Sequence, residues 1–404
     1  MRRCAIPSRV VVHIGTQKSG STYLQQVVVA LRAPLREAGW CYPLGWMGRH
    51  VAINQERPTY GAVPGGYSWV PAGRSATLAG AWRTLCAEVA AHPGPVLISA
   101  EALATLRTTD AAVVLADLAG TCPPGTPLEV VITARDLGRI MPSAWQQHVR
   151  NGRGETYAGY LQRLIDERRH ADCDGDVVAG FWRAYRIAGL AQRWAGIAQV
   201  SAVRLVTVPR RGDSAVLWHR FAAAVGLAGI TAEPPVIGRD AANIGITAPE
   251  AFALAAVSRG MRAAGVPEET AAERRFRVVR SGFAAREQRG PLLAVPEALR
   301  GVIADWADED AHDCAAMWQA GAIALTGEPS DLQCDFSDAP ADPTTEEVLA
   351  AVGAAVAVLS RPEPMITRAP AVTEQPGPPT LRRRLARWVP FRVHWPRRRG
   401  SGPR

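Results

Sequence analysis

The sequence predicts an α/β protein with a central, mostly parallel β-sheet and helices on both faces. Apolar runs typical of buried strands occur at residues 10–12, 96–101, 128–134 and 203–208. Segments rich in alanine and leucine, which favour helix, separate these runs. Because each parallel pair of strands needs a crossover connection, this alternation is typical of a parallel sheet. With 404 residues, of which 48% are apolar, the chain can bury a large core.

The helices are predicted from the same pattern, over residues 23–38, 75–91, 177–196, 218–225, 249–264 and 296–320. Thr247 precedes the fifth of these segments, where its side-chain oxygen can cap the first turn. Residues 271–289 are rich in arginine. We expect them to form a solvated helix face rather than a lid at residues 280–282.

The net charge of +9 belongs to the end of the chain, because nine arginines and no acid follow Gln375. The preceding residues are close to neutral, so general nucleic-acid binding by them is not indicated. The sequence predicts an α/β domain over residues 1–360, a proline-rich linker over 361–380 and a disordered tail over 381–404. The tail combines arginines with Trp388, Phe391 and Trp395. This composition suits either contact with an anionic membrane surface or a solubilising end.

Cysteine and histidine patterns indicate neither a disulfide framework nor a metal site. The seven cysteines include no Cys-x-x-Cys pair, and the eight histidines form no recognisable ligand cluster. No run approaches the roughly 20 apolar residues that span a bilayer, and the N-terminus lacks a signal-peptide core. We therefore expect a cytoplasmic protein, with the tail as a route to peripheral contact with the inner face of the membrane.

The segment His-Ile-Gly-Thr-Gln-Lys-Ser-Gly-Ser-Thr, residues 13–22, lies between the first strand and the first helix. Backbone amides at the start of a helix lack internal partners and carry partial positive charge, so glycines beside them allow an anion to approach. Lys18 is the only lysine among 46 basic residues. Since arginine serves everywhere else, a lysine in this loop indicates a specific role.

This loop does not have the Walker A register, in which lysine directly follows the last glycine. The order Lys-Ser-Gly-Ser-Thr instead resembles the 5′-phosphosulfate loop of sulfotransferases that use 3′-phosphoadenosine 5′-phosphosulfate (PAPS). The run from His13 to Gln25 is similar to the version found in a broad group of bacterial members. The resemblance implies a P-loop NTPase-like sulfotransferase fold. It assigns cofactor binding to residues 17–22, namely Gln17, Lys18, Ser19, Gly20, Ser21 and Thr22, and stabilisation of the leaving phosphate oxygen to Lys18.

Glu101 is the last residue of the second strand run. Charged side chains at the carboxyl ends of strands in an open α/β sheet lie where ligands bind. The resemblance implies that this residue is the general base, a role for which burial would have to raise the glutamate pKa of about 4.3. Alternatively, Glu101 is a first-turn carboxylate of a following helix. His50 is the reserve candidate for the base or for contact with the acceptor.

Arg135 ends the third strand, and Ser143 follows eight residues later. Pro142 suits the first position of a helix, which would place Ser143 at the head of that helix. An arginine fork and a serine can bind one phosphate from two sides. The spacing resembles the 3′-phosphate site of the same superfamily. An Arg135–Asp136 surface pair is the alternative.

The resemblance implies transfer of a sulfuryl group from PAPS to a hydroxyl or, less often, an amine of a small-molecule, glycan or glycolipid acceptor. The aromatic residues of the glycine- and proline-rich segment 39–74 either bind this acceptor or fill the core. Two other functions remain open. A P-loop kinase would need a Walker register and a magnesium-binding carboxylate, and a non-catalytic nucleotide- or anion-binding module would need no base.

Overall fold

The computed structural model describes residues 7–43, 54–63, 75–170, 180–210, 214–230, 233–235, 245–336 and 342–361. His50 and the tail, with most of the linker, lie outside these ranges, as do Trp46, Tyr67 and Trp69 of the glycine- and proline-rich segment. In the described ranges no helix has the length and apolar content needed to cross a bilayer.

The described strands form one parallel sheet in the order β2-β1-β3-β4-β5. They are β1 (Val10–Gly15), β2 (Val96–Ser99), β3 (Leu128–Ala134), β4 (Ala202–Thr207) and β5 (Ala324–Thr326). The predicted α/β class with a parallel sheet is confirmed. The sequence did not predict β5, because three residues at a sheet edge form no apolar run.

Helices connect and cover these strands. They are α1 (Ser21–Ala30), α2 (Arg32–Glu37), α3 (Glu56–Tyr60), α4 (Ser75–Ala90), α5 (Thr108–Gly120), α6 (Leu137–Arg150), α7 (Tyr157–His170), α8 (Gly180–Tyr185), α9 (Ile187–Ala195), α10 (Ser214–Val225), α11 (Ala248–Ala263), α12 (Glu268–Arg277), α13 (Glu297–Gln319) and α14 (Thr345–Leu359). A 3₁₀-helix over Glu101–Thr105 follows β2 directly.

Both faces of the sheet are buried, which explains why its strands are continuous apolar runs. Val11 and Leu97 pack on one face with Trp218 of α10 and with α1. Their neighbours Val12 and Ile98 point to the opposite face and join the larger core formed with α4, α5 and α6. The helices therefore lie on both faces, as predicted.

The carboxyl ends of β2, β1 and β3 lie side by side. β1 is flanked by β2 on one side and β3 on the other, so the connections that leave β1 and β3 run in different directions. A crevice at such a switch point is the usual ligand site in open α/β sheets. The residues that follow β1, β2 and β3 include Lys18, Glu101 and Arg135, respectively.

Two long predicted helices are each divided. The segment 23–38 breaks at Leu31, because Pro34 has no N–H to donate to the carbonyl of Ala30. The segment 177–196, described from residue 180, breaks at Arg186, which has a non-helical ψ of 89°. The Asp310 carboxylate accepts the N–H of Ile187 at 3.2 Å and thereby starts a new helix there.

The predicted start of the helix containing Ser143 is wrong. α6 begins five residues earlier, at Leu137, where the Asp136 carboxylate caps it by accepting the N–H of Arg139 at 3.0 Å. Pro142 consequently lies inside the helix, and Ser143 lies in its second turn. An aspartate cap and the buried apolar side of α6 outweigh the hydrogen bond that Pro142 cannot make.

The arginine-rich segment 271–289 is not a solvated helix face throughout. Arg275 is only 3% exposed and donates to Glu268 at 2.6 Å and to the Arg150 carbonyl at 3.3 Å. Arg289 donates to both carboxylate oxygens of Glu250, a residue with no exposed surface. Thr247 is the N-cap residue of α11, as predicted, but its N–H donates to the same Glu250 carboxylate at 2.9 Å and its hydroxyl donates to the Arg289 carbonyl at 2.6 Å. These arginines satisfy buried acceptors, which sequence spacing did not reveal.

Candidate functional site

The loop after β1 turns sharply between the strand and α1. Gly15, Lys18 and Gly20 have φ angles of 73°, 64° and 85°. In the described part of the chain, Lys18 is the only residue other than glycine with a positive φ. Left-handed backbone is unfavourable for a side chain with a Cβ, and such residues cluster at ligand sites. The chain thus has a lysine at a backbone conformation that glycine adopts at lower energy. This supports a specific role for the Lys18 ammonium group.

Hydrogen bonds to β3 hold this loop in place. The Thr16 N–H donates to the Thr133 carbonyl at 2.6 Å, and the Ser19 hydroxyl donates to the Thr16 carbonyl at 2.5 Å. Ser19 Oγ also lies 2.6 Å from Thr133 Oγ1, and the residue is fully buried. The hydroxyl of Ser19 therefore shapes the loop, whereas the sequence had indicated it as a donor to the ligand.

The start of α1 has the features of an anion site. Gly20 precedes the helix, no side chain caps it, and its first turn holds no acid. A Cβ on Gly20 would lie 2.5 Å from Leu217, so only glycine fits there without displacement. The partial positive charge of the helix start is thus not offset by a carboxylate from its own first turn.

The Lys18 side chain contacts α6. Its ammonium Nζ donates to Gln147 Oε1 at 2.7 Å, and the Gln147 amide donates to Asn151 Oδ1 at 2.9 Å. A neutral amide orients the ammonium without compensating its charge. Burial, helped by Arg150 and Arg135 and opposed by Glu101, lowers the pKa of Lys18 to about 8. Sequence reasoning missed Gln147, since one glutamine among several polar residues of α6 carries no distinctive signal.

Arg135 approaches the same loop from β3. Its Nη1 donates to the Lys18 carbonyl at 3.3 Å, while its buried Nε has no hydrogen-bond partner. Burial and Arg139 lower the pKa of this guanidinium to about 10. The alternative Arg135–Asp136 pair does not form, because Asp136 caps α6 and binds Arg139. The structure thus brings residues 18 and 135 together.

Ser143 lies on α6 one turn before Gln147, and residues four apart in a helix share a face. It is half-buried, and the described residues show no bond between Ser143 and Arg135. Arg135 therefore contacts the loop, whereas the two predicted 3′-phosphate ligands are not hydrogen-bonded to each other. Gln17 and Thr22 are half-buried in this loop, and the Gln17 carbonyl accepts the Tyr185 hydroxyl at 3.1 Å.

Glu101 occupies the first position of the 3₁₀-helix after β2, so it is a first-turn acid and also lies at the carboxyl edge of the sheet. A Cβ on Gly15 would be 3.1 Å from Glu101 Cγ, which places this side chain directly over the loop. The Ser21 hydroxyl and the Gln25 amide donate to its carboxylate. Burial and the nearby Glu56 carboxylate raise the pKa of Glu101 to about 7.

Glu56, at the start of α3, is a second carboxylate that the sequence did not predict. It accepts the Ala102 N–H at 3.0 Å and the Tyr60 hydroxyl at 2.5 Å. Burial raises the pKa of this group as well. Glu56 therefore fixes the turn that carries Glu101 and, by its charge, disfavours ionisation of that residue. Its isolated position in a glycine- and proline-rich segment gave no signal in the sequence.

A chain of buried polar groups crosses the sheet beneath the loop. The Gln25 amide donates to Ser99 Oγ at 2.9 Å, and His13 lies between Ser99 Oγ at 2.8 Å and Thr133 Oγ1 at 3.1 Å. Burial lowers the pKa of His13 to about 3, which keeps its imidazole neutral. These bonds tie α1 and the ends of β2, β1 and β3 together, so the three ligand-facing segments are held rigidly.

An open cleft begins at Gln17 and Lys18 and extends between α6, α7 and α8. Tyr60, from the aromatic segment 39–74, lines it. Trp40 and Tyr42 instead pack in the core, where they are 8% and 5% exposed. Trp40 and Tyr42 thus fill the core, whereas Tyr60 has one side on the cleft. Comparison with known proteins gives no matching family model, no matching curated protein and no matching solved structure.

Proposed function

We propose that this protein is a sulfotransferase that transfers the sulfuryl group of PAPS to an acceptor hydroxyl. The observation that carries the proposal is the meeting of Lys18 and Arg135 at the switch point of the sheet. Neither cation forms an ion pair within the described residues, and the Nε of Arg135 lacks a partner. Two partly buried cations that lie close together without a direct ion pair are unfavourable, and an anion bound between them would stabilise both.

The residues present fit a nucleotide with two separate anionic groups. The amides of Ser19 to Thr22 and the Lys18 ammonium would hold the 5′-phosphosulfate. Arg135, with the Ser143 hydroxyl, would hold the 3′-phosphate, because a guanidinium fork matches phosphate geometry and one of its N–H groups is unused. Among nucleotides with two separate anionic groups we choose PAPS, because the loop resembles that of the sulfotransferases.

The chemistry needs a base and a stabilised leaving group. When bound, PAPS supplies a sulfur centre to which the acceptor oxygen bonds as the bond from sulfur to the phosphate oxygen breaks. Glu101 accepts the proton of the acceptor hydroxyl, a role suited to a carboxylate with a pKa of about 7. Lys18 stabilises the negative charge that grows on the phosphate oxygen.

Thermal melting of the full chain tests the cofactor assignment. We expect 3′-phosphoadenosine 5′-phosphate (PAP), the product nucleotide, to raise the melting temperature strongly, since a ligand that binds only the native state stabilises it. Adenosine 5′-phosphate, which lacks the second phosphate, should have a much smaller effect. Stabilisation by ATP with magnesium but not by PAP would favour a kinase, and stabilisation by inorganic sulfate alone would favour a simple anion-binding module.

Replacing Arg135 with alanine should weaken PAP binding by about 10–100-fold, the effect of removing a charge-assisted bond worth about 1.5–3 kcal/mol. Isothermal titration calorimetry with PAP and with adenosine 5′-phosphate measures this. The two ligands should bind the variant with similar affinity, because only the 3′-phosphate contact is lost. Exposed Arg83 supplies the control, and Arg83→Ala should bind PAP as the parent chain does. Equal weakening by both substitutions would contradict the assignment.

The two shifted pKa values predict a bell-shaped pH dependence of kcat/KM. Glu101 must be deprotonated, so activity should rise with pH through about 7. Lys18 must be protonated, so activity should fall again above about 8. In Glu56→Gln the neighbouring negative charge is gone, which should move the rising limb to lower pH. Initial rates measured between about pH 5 and pH 10, a range that covers both limbs of the profile, give the shift. If the rising limb of Glu56→Gln stayed at the pH of the parent chain, Glu56 would not be a cause of the raised pKa of Glu101.

A further inference from the structure

The cleft beside Lys18 has two chemically different walls. α7 and α8 contribute Tyr160, Phe181 and Tyr185, and Tyr60 extends this aromatic surface. α6 and its C-cap residue contribute Gln147, His148 and Asn151, and the His148 ring centre lies 5.2 Å from that of Tyr160. A cleft with aromatic surface and a few placed polar groups is typical of a site for a small organic ligand.

Two of the tyrosines present carbon rather than hydroxyl to the cleft. The Tyr60 hydroxyl donates to Glu56 at 2.5 Å, and the Tyr185 hydroxyl donates to the Gln17 carbonyl at 3.1 Å. The rings of Phe181 and Tyr185 lie 4.6 Å apart between centroids. The aromatic wall therefore offers ring surface that is already fixed in place.

Tyr160 differs from these tyrosines. The residue is only 5% exposed and lines the cleft, yet its hydroxyl has no hydrogen-bond partner among the residues that the structure describes. The guanidinium of Arg163 lies 5.1 Å from its ring centre. This unpaired hydroxyl belongs to the lining of the cleft, so a ligand group that bonds to it there gains affinity and selectivity over one that cannot.

Charge in the cleft argues against an amine acceptor. Its described lining contains no aspartate or glutamate, and Lys18, which lies in it, is held by the neutral Gln147. Arg163 is already paired with Glu155 and Glu167. An alkylamine is cationic at neutral pH and would meet the Lys18 ammonium without a carboxylate in the lining. A phenol is neutral and would not be repelled by Lys18. Its single hydroxyl, however, must face the reacting sulfur, so the Tyr160 hydroxyl would be left without a partner.

We infer that the acceptor is a sugar hydroxyl, with the sugar ring lying on the aromatic wall and a second hydroxyl bonded to Tyr160. This inference rests on the proposed sulfotransferase function. A pyranose has apolar faces for the rings of Phe181 and Tyr185 and several hydroxyls at its edge. One hydroxyl can thus face Lys18 and Glu101 while another pairs with the side chain of Tyr160 or Asn151.

Sulfuryl transfer from labelled PAPS to a panel of acceptors tests this inference. The panel contains methyl and octyl glycosides of glucose, galactose, mannose and N-acetylglucosamine, together with 4-nitrophenol and 2-phenylethylamine. Turnover of at least one methyl or octyl glycoside, and of neither other acceptor, is the expected result. The ratio of octyl to methyl turnover separates a glycolipid source from a free glycan. Faster turnover of 4-nitrophenol or 2-phenylethylamine than of every glycoside overturns the inference, and so does a lack of turnover with all acceptors.

Tyr160→Phe removes one oxygen and is the sharpest variant. We expect the KM for the glycoside to rise about 5–30-fold, with the PAP-induced melting shift unchanged. Tyr157→Phe is the matched control, because Tyr157 is equally buried but donates to the Ala294 carbonyl outside the cleft. Equal KM values for Tyr160→Phe and the parent chain overturn the inference. Loss of the PAP shift in the parent chain would instead contradict the proposed function itself.

Discussion

Lys18→Ala is expected to lower kcat by about 10²–10³-fold, the usual effect of removing one donor aimed at developing charge. In the parent chain the ammonium is held by a single neutral partner, Gln147 Oε1, at 2.7 Å. Its positive charge is thus available when the phosphate oxygen gains negative charge. Rapid-quench measurement of one turnover with labelled PAPS isolates this step from nucleotide release.

Two further variants show whether position or charge alone matters. Lys18→Arg keeps the charge but replaces a compact ammonium with a planar fork, and we expect it to remain at least about 10-fold slower than the parent chain. Arg83→Ala removes an exposed charge elsewhere and should leave kcat unchanged. If Lys18→Arg matched the parent chain, Lys18 would act only as a general cation. If Lys18→Ala kept full turnover, the proposed reaction would lose its main support.

Local sequence patterns predicted the parts of the site that lie next to a strand end. Lys18, Glu101 and Arg135 each follow an apolar run, and the edge of a parallel sheet gathers such positions without any further information. Thr247 was predictable for a similar reason, since a helix cap is a local feature.

Residues whose role depends on distant packing were not predictable. Glu56 lies 46 residues before Ala102, whose N–H it accepts, and the intervening segment shows no regular period. Gln147 meets Lys18 from α6, a helix that begins at Leu137, five residues before the predicted start. Pro142 misled the prediction, because a proline at the head of a helix and one inside a helix look alike in sequence when packing compensates for the missing bond.

Glu101→Gln should reduce kcat by about 10²–10⁴-fold while leaving PAP affinity close to that of the parent chain. Glutamine has nearly the same shape and can still accept from the Ser21 hydroxyl, so the loop should keep its structure. It cannot accept the acceptor's proton. The raised pKa of Glu101 suits this role, because a base whose pKa lies near the operating pH combines ionisation with basicity.

Glu129→Gln is the matched control for this loss. Glu129 is a buried carboxylate near the opposite end of β3, where it pairs with Arg204 at 2.9 Å. Neutralising it should lower stability but leave the pH profile of kcat/KM unmoved, because it faces neither Lys18 nor Glu101. The profile of Glu101→Gln should instead lose its rising limb. Full turnover by Glu101→Gln would show that Glu101 is not the base. Glu56 and His50 would then be the candidates, and substitution of the true base should abolish the rising limb of the pH profile.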